Sequence, residues 1–320
     1  MTYSLNALYK VVEISKQAVA KQIRKQEIFE EQFFELLIQI DSIREEHPGC
    51  GVEKMYYTLK PSFIGRDAFI DYLMALGYRV KYNKNYRRTT IASKLYYPNL
   101  IKGMIVNRPN QIWQSDITYF EIADRFYYGV FIIDIYTKEI VGYNVSDNMR
   151  ATANLKALKS AINKYGKVEI HHSDRGSQYV SKKYTALLKE HETQISMGLT
   201  AQDNAYAERI NRTIKEEYLN HWKVKNYIEL KRAVKKAVNH YNNKRLHNSL
   251  LPYRITPSEF RKKVINLQEQ DRPKVMIYTE GNNKIEVASS HLNLKQDLTQ
   301  DQNCPKYYKD DSINKTVNLI

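Results

Sequence analysis

The sequence predicts an α/β protein in which a mixed sheet flanked by helices follows an all-α region. Three observations carry this. Apolar residues recur at helical spacing through the first eighty residues, three strand-like runs rich in Tyr, Val and Ile follow Pro109, and strand and helix patterns then alternate. With 320 residues, the chain is long enough for about two domains, each with its own core.

The first segment, LNALYKVVEISKQAVAKQIRKQ, places Leu5, Leu8 and Val12 on one face, and Ser15 suits the N-cap of a second short helix. A longer helix is expected through Phe33, Leu37, Ile40 and Ile43, ending at the break HPGCG. The next helix carries Val52, Met55, Tyr56 and Leu59. After Pro61 a further one carries Phe69, Ile70 and Leu73 and is closed by Gly77. Short helices with tight turns suit a helix-turn-helix unit, whose last helix enters the major groove of DNA.

From Tyr72 to Ser115 there is no acidic residue, while Arg79, Lys81, Lys84, Arg87, Arg88, Lys94, Lys102 and Arg108 all fall inside. Such a one-signed stretch suits a linker that grips the phosphate backbone, with Arg87 and Arg88 as candidate DNA contacts. The strands IWQSDITYFEI, RFYYGVFIIDIYT and EIVGYNV come next, expected to be antiparallel neighbours. They lead to a helix over about 151–165, the strand VEIHHS, a helix near 181–190, the apolar stretch QISMG, and two helices over about 205–219 and 227–241. The last fifty residues hold one candidate strand, KVMIYTE, and then polar text with too few apolar residues to pack. The expected organisation is a helix-turn-helix-like DNA-binding region (1–78), a basic linker (79–108), a core (109–263), and a C-terminal strand with a polar, partly mobile tail (264–320).

Charge narrows the function. Fifty Lys and Arg against 35 Asp and Glu give a formal charge of +15 and a pI near 9.4, so the default partner is nucleic acid. No apolar run approaches the roughly eighteen residues of a membrane span, and the start MTYSLNALYK lacks a signal-peptide pattern; the expectation is a cytoplasmic, nucleoid-associated protein without a membrane partner. Only Cys50 and Cys304 are present, so neither a disulfide framework nor a cysteine zinc site is available, and a catalytic metal must be held by oxygen.

Two aspartates have the right setting for that. Asp116 lies within the first strand, and Asp174 ends VEIHHS just before the turn-like RGSQ, at a strand mouth where ligand sites form. The third acid must come from DNAYAERINRTIKEEY, where Asp203, Glu208, Glu216 and Glu217 compete. At about a hundred degrees per residue, Glu208, Arg212 and Lys215 share a stripe, with Glu217 nearly opposite, and Asp203 suits a cap. Adjacent His171 and His172 point to opposite faces of a strand, which suits ordinary hydrogen bonding better than a shared metal. Arg245 and His247, near a helix end, suit either DNA contact or terminal carbonyls.

In order, QSDITYF, IIDIYTKEIVGY, HHSDRGSQY, DNAYAERINRTIKEEY, YNNKRLHNSL and ITPSEF resemble the catalytic core of bacterial insertion-sequence transposases of the retroviral-integrase-like superfamily. The resemblance runs from about Pro109 to Phe260. More weakly, GVEKMYYTLK and GRDAFIDYLMALGY look like the helix-turn-helix that precedes that core. The resemblance implies a ribonuclease-H-like fold and DNA cleavage followed by strand transfer from the freed 3′ hydroxyl. It implies Asp116, Asp174 and Glu208 as ligands of two Mg²⁺ ions, with Mn²⁺ able to substitute, Asp116 bridging the pair. Lys215 would contact the DNA terminus; beside what the resemblance implies, Arg212, on the stripe of Glu208, and Arg245 are further candidate DNA contacts. Implied partners are double-stranded DNA (terminal inverted repeats and target), further copies of the chain on that DNA, and an upstream-frame helix-turn-helix protein. The alternatives are a ribonuclease-H-like nuclease without strand transfer and a catalytically silent DNA-binding regulator.

The sequence departs from the family pattern twice. Thirty-three residues separate Asp174 from Glu208, slightly fewer than usual, through a shortened loop GLTAQ, and Lys138 stands where Arg is usual, which keeps the charge but loses a bidentate fork.

Overall fold

The computed structural model describes residues 13–80, 96–250 and 254–277, together with Tyr9 and Val11. Leu5, Leu8 and Val12, most of the basic linker with Arg87 and Arg88, and the polar tail lie outside the described residues.

The short helix and long helix expected after Ser15 are one 31-residue helix, α1 (Lys16–Glu46). Ser15 does cap it, its hydroxyl accepting from the Ala18 amide at 3.1 Å. Nothing from Lys16 to Glu46 is Gly or Pro, so no residue breaks the run between the two predicted pieces. The helices α2 (Val52–Leu59) and α3 (Arg66–Ala75) follow as predicted. Gly77, at φ +84°, ends α3: its amide donates to Met74 O and that of Tyr78 to Leu73 O, a Schellman closure that needs a left-handed residue. Phe33, Leu36 and Ile40 of α1 pack with Met55, Phe69 and Leu73 into a core belonging to this region alone.

The chain then enters β1 (Ile105–Val106), β2 (Ile112–Ile122), β3 (Arg125–Asp134) and β4 (Ile140–Ser146). Strands β2 and β3 form an antiparallel hairpin across Ala123 and Asp124, both at positive φ (47° and 58°), the backbone of a two-residue type I′ turn. Next come α4 (Ala151–Tyr165), β5 (Ile170–Ser173), α5 (Lys182–Glu190) and β6 (Gln194–Met197). The five-stranded sheet has the order β4-β3-β2-β5-β6, with β4, β3 and β2 antiparallel and β5 and β6 parallel to β2. The helices α6 (Ala205–Ile214), whose end widens into a π turn over Lys215–Leu219, and α7 (Tyr227–Asn243) close one face.

Alternation along β3 explains why both faces are apolar. Phe131 and Ile133 pack with Ile210, Ile214, Val234 and Tyr241 from α6 and α7, while Val130 and Ile132 pack with Ala157, Leu158 and Leu188 from α4 and α5. This mixed sheet between helical layers is the ribonuclease-H-like architecture that the sequence predicts.

Helix α4 approaches β4 closely enough that a Cβ on Gly142 would stand 2.5 Å from Ala157 O. Gly142→Ala is therefore expected to destabilise the protein by about 2–3 kcal/mol, because backbone rather than a flexible side chain must yield. A urea melt of the variant checks this, and a loss below about 0.5 kcal/mol would show that α4 can shift freely.

One element here is additional to the sequence reading, and one is shorter than expected among the described residues. Helix α8 (Pro257–Ile265) is formed by the ITPSEF segment, with a capping box between Thr256 and Glu259. Within KVMIYTE only β7 (Val275–Met276) is strand among the described residues, and it pairs antiparallel with β1. Helix α8 is anchored by Arg261, which contacts Asp134 (2.9 Å) and Glu139 in the turn between β3 and β4. The IIDIYTKE and ITPSEF motifs thus meet in space to hold the sheet's edge.

Candidate active site

The site is assembled by polar side chains that sew the start of α6 onto β2. Gln114 accepts from the Tyr206 and Ala207 amides at 3.1 and 3.3 Å and donates to Asp203 O at 3.0 Å. It thus satisfies helix-start amides that have no partner within α6. Asn204 Nδ2 donates to Ser115 O at 3.1 Å, and Asn211 Nδ2 donates to Asp116 Oδ2 at 2.8 Å. Asp203 does not itself cap α6: it reaches back within the preceding turn, its Oδ2 accepting from the Leu199 and Thr200 amides, and Asn204 takes the N-cap position.

Within this frame Asp116 stands on the face of β2 shared with Gln114, its Oδ1 accepting from the Ile117 amide at 2.8 Å. Asp174 leaves the end of β5 and accepts from the Gly176 amide at 3.1 Å. Glu208 occupies the exposed side of the first turn of α6. The three carboxylates share one electrostatic field. Burial pushes the Asp116 carboxyl up to about 8, and the charges of Asp174 and Glu208 push the same way against the hydrogen bonds from Ile117 and Asn211. Glu208 is raised by burial and by Asp174, with Arg212 opposing. Among the described residues, no three acidic, histidine or cysteine side chains form a finished cation cage. Asp116 spends its oxygens on Asn211 and its neighbour's amide instead.

The neighbouring cations differ in role. Lys215 stands 4.3 Å over the Tyr119 ring, and burial pulls its ammonium down to about 8. Arg212 is exposed on the same helix. Arg245, a DNA contact by sequence, is instead an internal residue: its guanidinium grips both oxygens of Glu217 at 2.6 and 2.7 Å, and its side chain is 10% exposed. His247 is turned to its own turn, pairing with the Ser249 hydroxyl at 3.0 Å. Lys138 also points inward, donating to Ile135 O and lying 4.0 Å over Tyr206, so the Arg-to-Lys departure falls at a buried packing position. His171 and His172 bond Tyr184 and Ser196 at 2.9 and 2.8 Å, and burial lowers both, to about 3 and about 4.

Sequence reasoning missed Gln114, Asn204 and Asn211. Only Asn211 left a trace, three residues after Glu208 and therefore on its face of the helix.

Two profiles described as Integrase core domain match residues 106–202 and 190–257. The transposase for insertion sequence element IS904 of Lactococcus lactis is 32% identical over 196 residues, covering 59% of this chain and 76% of that protein. The chain belongs to the insertion-sequence transposases of the integrase superfamily. The IS629 transposase of Shigella sonnei is 40% identical over 164 residues, 50% of this family member, and the match spans 55% of the Shigella protein's length. Among solved structures, the catalytic core domain of HTLV-2 integrase in complex with magnesium aligns with 48% of this chain and 97% of its own, at a TM-score of 0.42 and 21% identity.

Proposed function

We propose that this family member is a DNA transposase that cuts the ends of its element and joins them to target DNA, with Asp116, Asp174 and Glu208 holding two Mg²⁺ ions. The observation that supports this reading is that acids from β2, the end of β5 and the first turn of α6 lie near enough to feel one another's charge, in a setting where burial raises Asp116 and Glu208. An all-oxygen, anionic donor set suits a hard divalent cation, and a cation would compensate the burial, and after it the mutual charge, that raise Asp116 and Glu208.

When bound, such a metal pair activates the attacking oxygen and stabilises the leaving one. The protein's own groups do the rest. Gln114 and Asn204 fix the start of α6 on β2, Glu208 would turn in from the first turn of that helix, and Asn211 orients Asp116. In the first cut, water attacks the phosphorus, and the broken P–O bond leaves a 3′ hydroxyl and a 5′ phosphate. In joining, that hydroxyl attacks a target phosphodiester, one P–O bond forming as one breaks and the target's 3′ oxygen departing with a proton. No covalent enzyme intermediate is required.

Incubating the protein with Mg²⁺ and oligonucleotides bearing the element's ends tests the reading. Joined products support it, nicks without joining indicate a nuclease, and retention of DNA without cleavage indicates a regulator. Lys215→Ala and Arg212→Ala are expected to weaken end binding and to reduce the slope of log affinity against log salt by about one each, as for lost phosphate contacts. A slope unchanged in both variants would remove these residues from the DNA interface.

A further inference from the structure

The floor beneath the turn that precedes α6 is a row of three buried polar side chains. Gln114 on β2, His172 on β5 and Ser196 on β6 are register partners across the sheet, 1%, 0% and 0% exposed. Partners in neighbouring parallel strands project to the same face, so His172 lies beside Gln114 on the side of the sheet that α6 covers. Above the row the turn closes on itself. The Gly198 amide donates to Ser173 O at 2.9 Å, and Asp203 Oδ2 accepts from the Leu199 and Thr200 amides at 2.8 and 3.0 Å. A Cβ on Gly198 would stand 2.6 Å from Asp203 Cβ and 3.2 Å from His172 Nε2, so the outer nitrogen of the ring abuts the turn.

The hydrogen bonds fix which nitrogen of His172 carries the proton. Ser196 Oγ accepts from the Leu100 amide at 2.9 Å and meets His172 Nδ1 at 2.8 Å. Among the described residues, Nδ1 is the acceptor open to the Ser196 hydroxyl proton, so Ser196 donates and Nδ1 accepts. The neutral ring then carries its own proton on Nε2. That N–H is buried and has no hydrogen-bond partner among the described residues, yet it lies in the field of the Asp203 carbonyl and carboxylate. Asp203 O accepts from Gln114 at 3.0 Å, and a carbonyl oxygen can accept twice. A buried donor beside such an oxygen is costly to leave unpaired.

We infer that His172 is a positioning residue whose Nε2–H serves the Asp203 carbonyl, and that with Gln114 it sets the height of the 198–204 turn above the sheet. Asp203 stands five residues before Glu208, and neither Gly nor Pro lies between them to absorb a shift. A rise of the carbonyl is therefore passed to the first turn of α6, and with it to the reach of Glu208. The consequence for joining rests on the proposed role of Glu208. The hold on the turn does not.

Amide hydrogen exchange on the full chain, without DNA or metal, tests the hold, and joining with Mg²⁺ tests its consequence. His172→Asn keeps a polar group near the Nδ1 position for Ser196 but cannot reach Asp203. Exchange over 198–208 is expected to quicken about tenfold in it, with exchange in β3 and α7 unchanged. His172→Gln places an amide nitrogen near the Nε2 position and is expected to bring that exchange back to within about threefold of wild type. Joining follows the same order. In His172→Asn the rate at saturating end oligonucleotide falls about tenfold while the Kd for that DNA stays within about twofold, and His172→Gln restores most of the rate. Ser196→Ala frees the ring to move its proton to Nδ1; it is expected to loosen the same segment and carries the test should His172→Asn not fold. Wild-type exchange over 198–208 in His172→Asn and Ser196→Ala, equal loosening by His172→Asn and His172→Gln, or loosening spread evenly through the chain would each overturn the inference. The expected exchange pattern in a protein that joins no DNA would uphold it and count against the reading of the active site alone.

Discussion

Glu208→Gln and Asp116→Asn are each expected to reduce strand joining by two to three orders of magnitude or more while leaving DNA binding intact. Losing one carboxylate of a metal site removes several kcal/mol of charge stabilisation in the transition state, and each 1.36 kcal/mol is a factor of ten in rate. Both substitutions keep the shape of the side chain, and Asn at position 116 retains an oxygen for the Asn211 contact, so the fold survives. Burial holds the Asp116 carboxyl up at about 8, and a bound cation would favour its charged form. Added Mg²⁺ is therefore expected to raise the melting temperature of the wild type and to do so much less in either variant. Joining at wild-type rate by either variant would remove that residue from the metal site, and a retained Mg²⁺ shift would count against its role as a ligand.

The second large effect concerns stability. Glu217→Gln is expected to cost about 3–5 kcal/mol, the range for breaking a buried ion pair and leaving its partners uncompensated. Glu217 sits in the π turn after α6 and is shared by Arg245, by Lys54 at 3.1 Å and by His47 at 2.7 Å, the last two belonging to the helical region. Next to it the Gly49 amide donates to Glu217 O at 2.8 Å, with no space for a side chain at position 49. This carboxylate is the most buried of the ties between the three-helix region and the core, beside the pairs Lys244–Glu46 and Arg254–Glu53. Burial tends to raise it, but the Arg245 and His47 hydrogen bonds and the Arg245 and Lys54 charges outweigh that and hold it far below its ordinary 4.5. The linkage follows in sign: a depressed acid contributes stability that is fully present above 4.5 and is lost as pH falls below it toward the folded value. Urea melts at pH 7 and pH 3.5 check this, because the gap between wild type and variant must narrow at the lower pH. Glu216→Gln, next door and half-exposed, is expected to change stability by less than about 0.5 kcal/mol. Equal losses in the two variants would mean that the network carries no special weight.

Glu217 also marks the limit of reading along the chain. Helical geometry correctly turned it away from Glu208, yet gave no sign that His47, Lys54 and Arg245 converge on it from 170, 163 and 28 residues away. Arg245 shows the same limit: near a helix end it suits a phosphate contact or terminal carbonyls, and the buried acid it pairs with is visible only in the fold. The pattern suggests two helices where α1 is one, because periodicity weakens where a helix has no core to face. Helix α8 went unassigned because its signal is a capping box within a motif, and much of its hold on the fold comes through Arg261, from outside the helix.

The sequence by itself determined the strand order along the chain, the helices around the sheet and the candidate acids, because alternation, periodicity and motif order are local properties of the residues. Only the tertiary structure decided which polar side chains tie α6 to β2, which cations are buried in ion pairs and what joins the two halves. Those are matters of pairing between remote polar groups, each of which must find a partner once buried, and no local pattern names that partner.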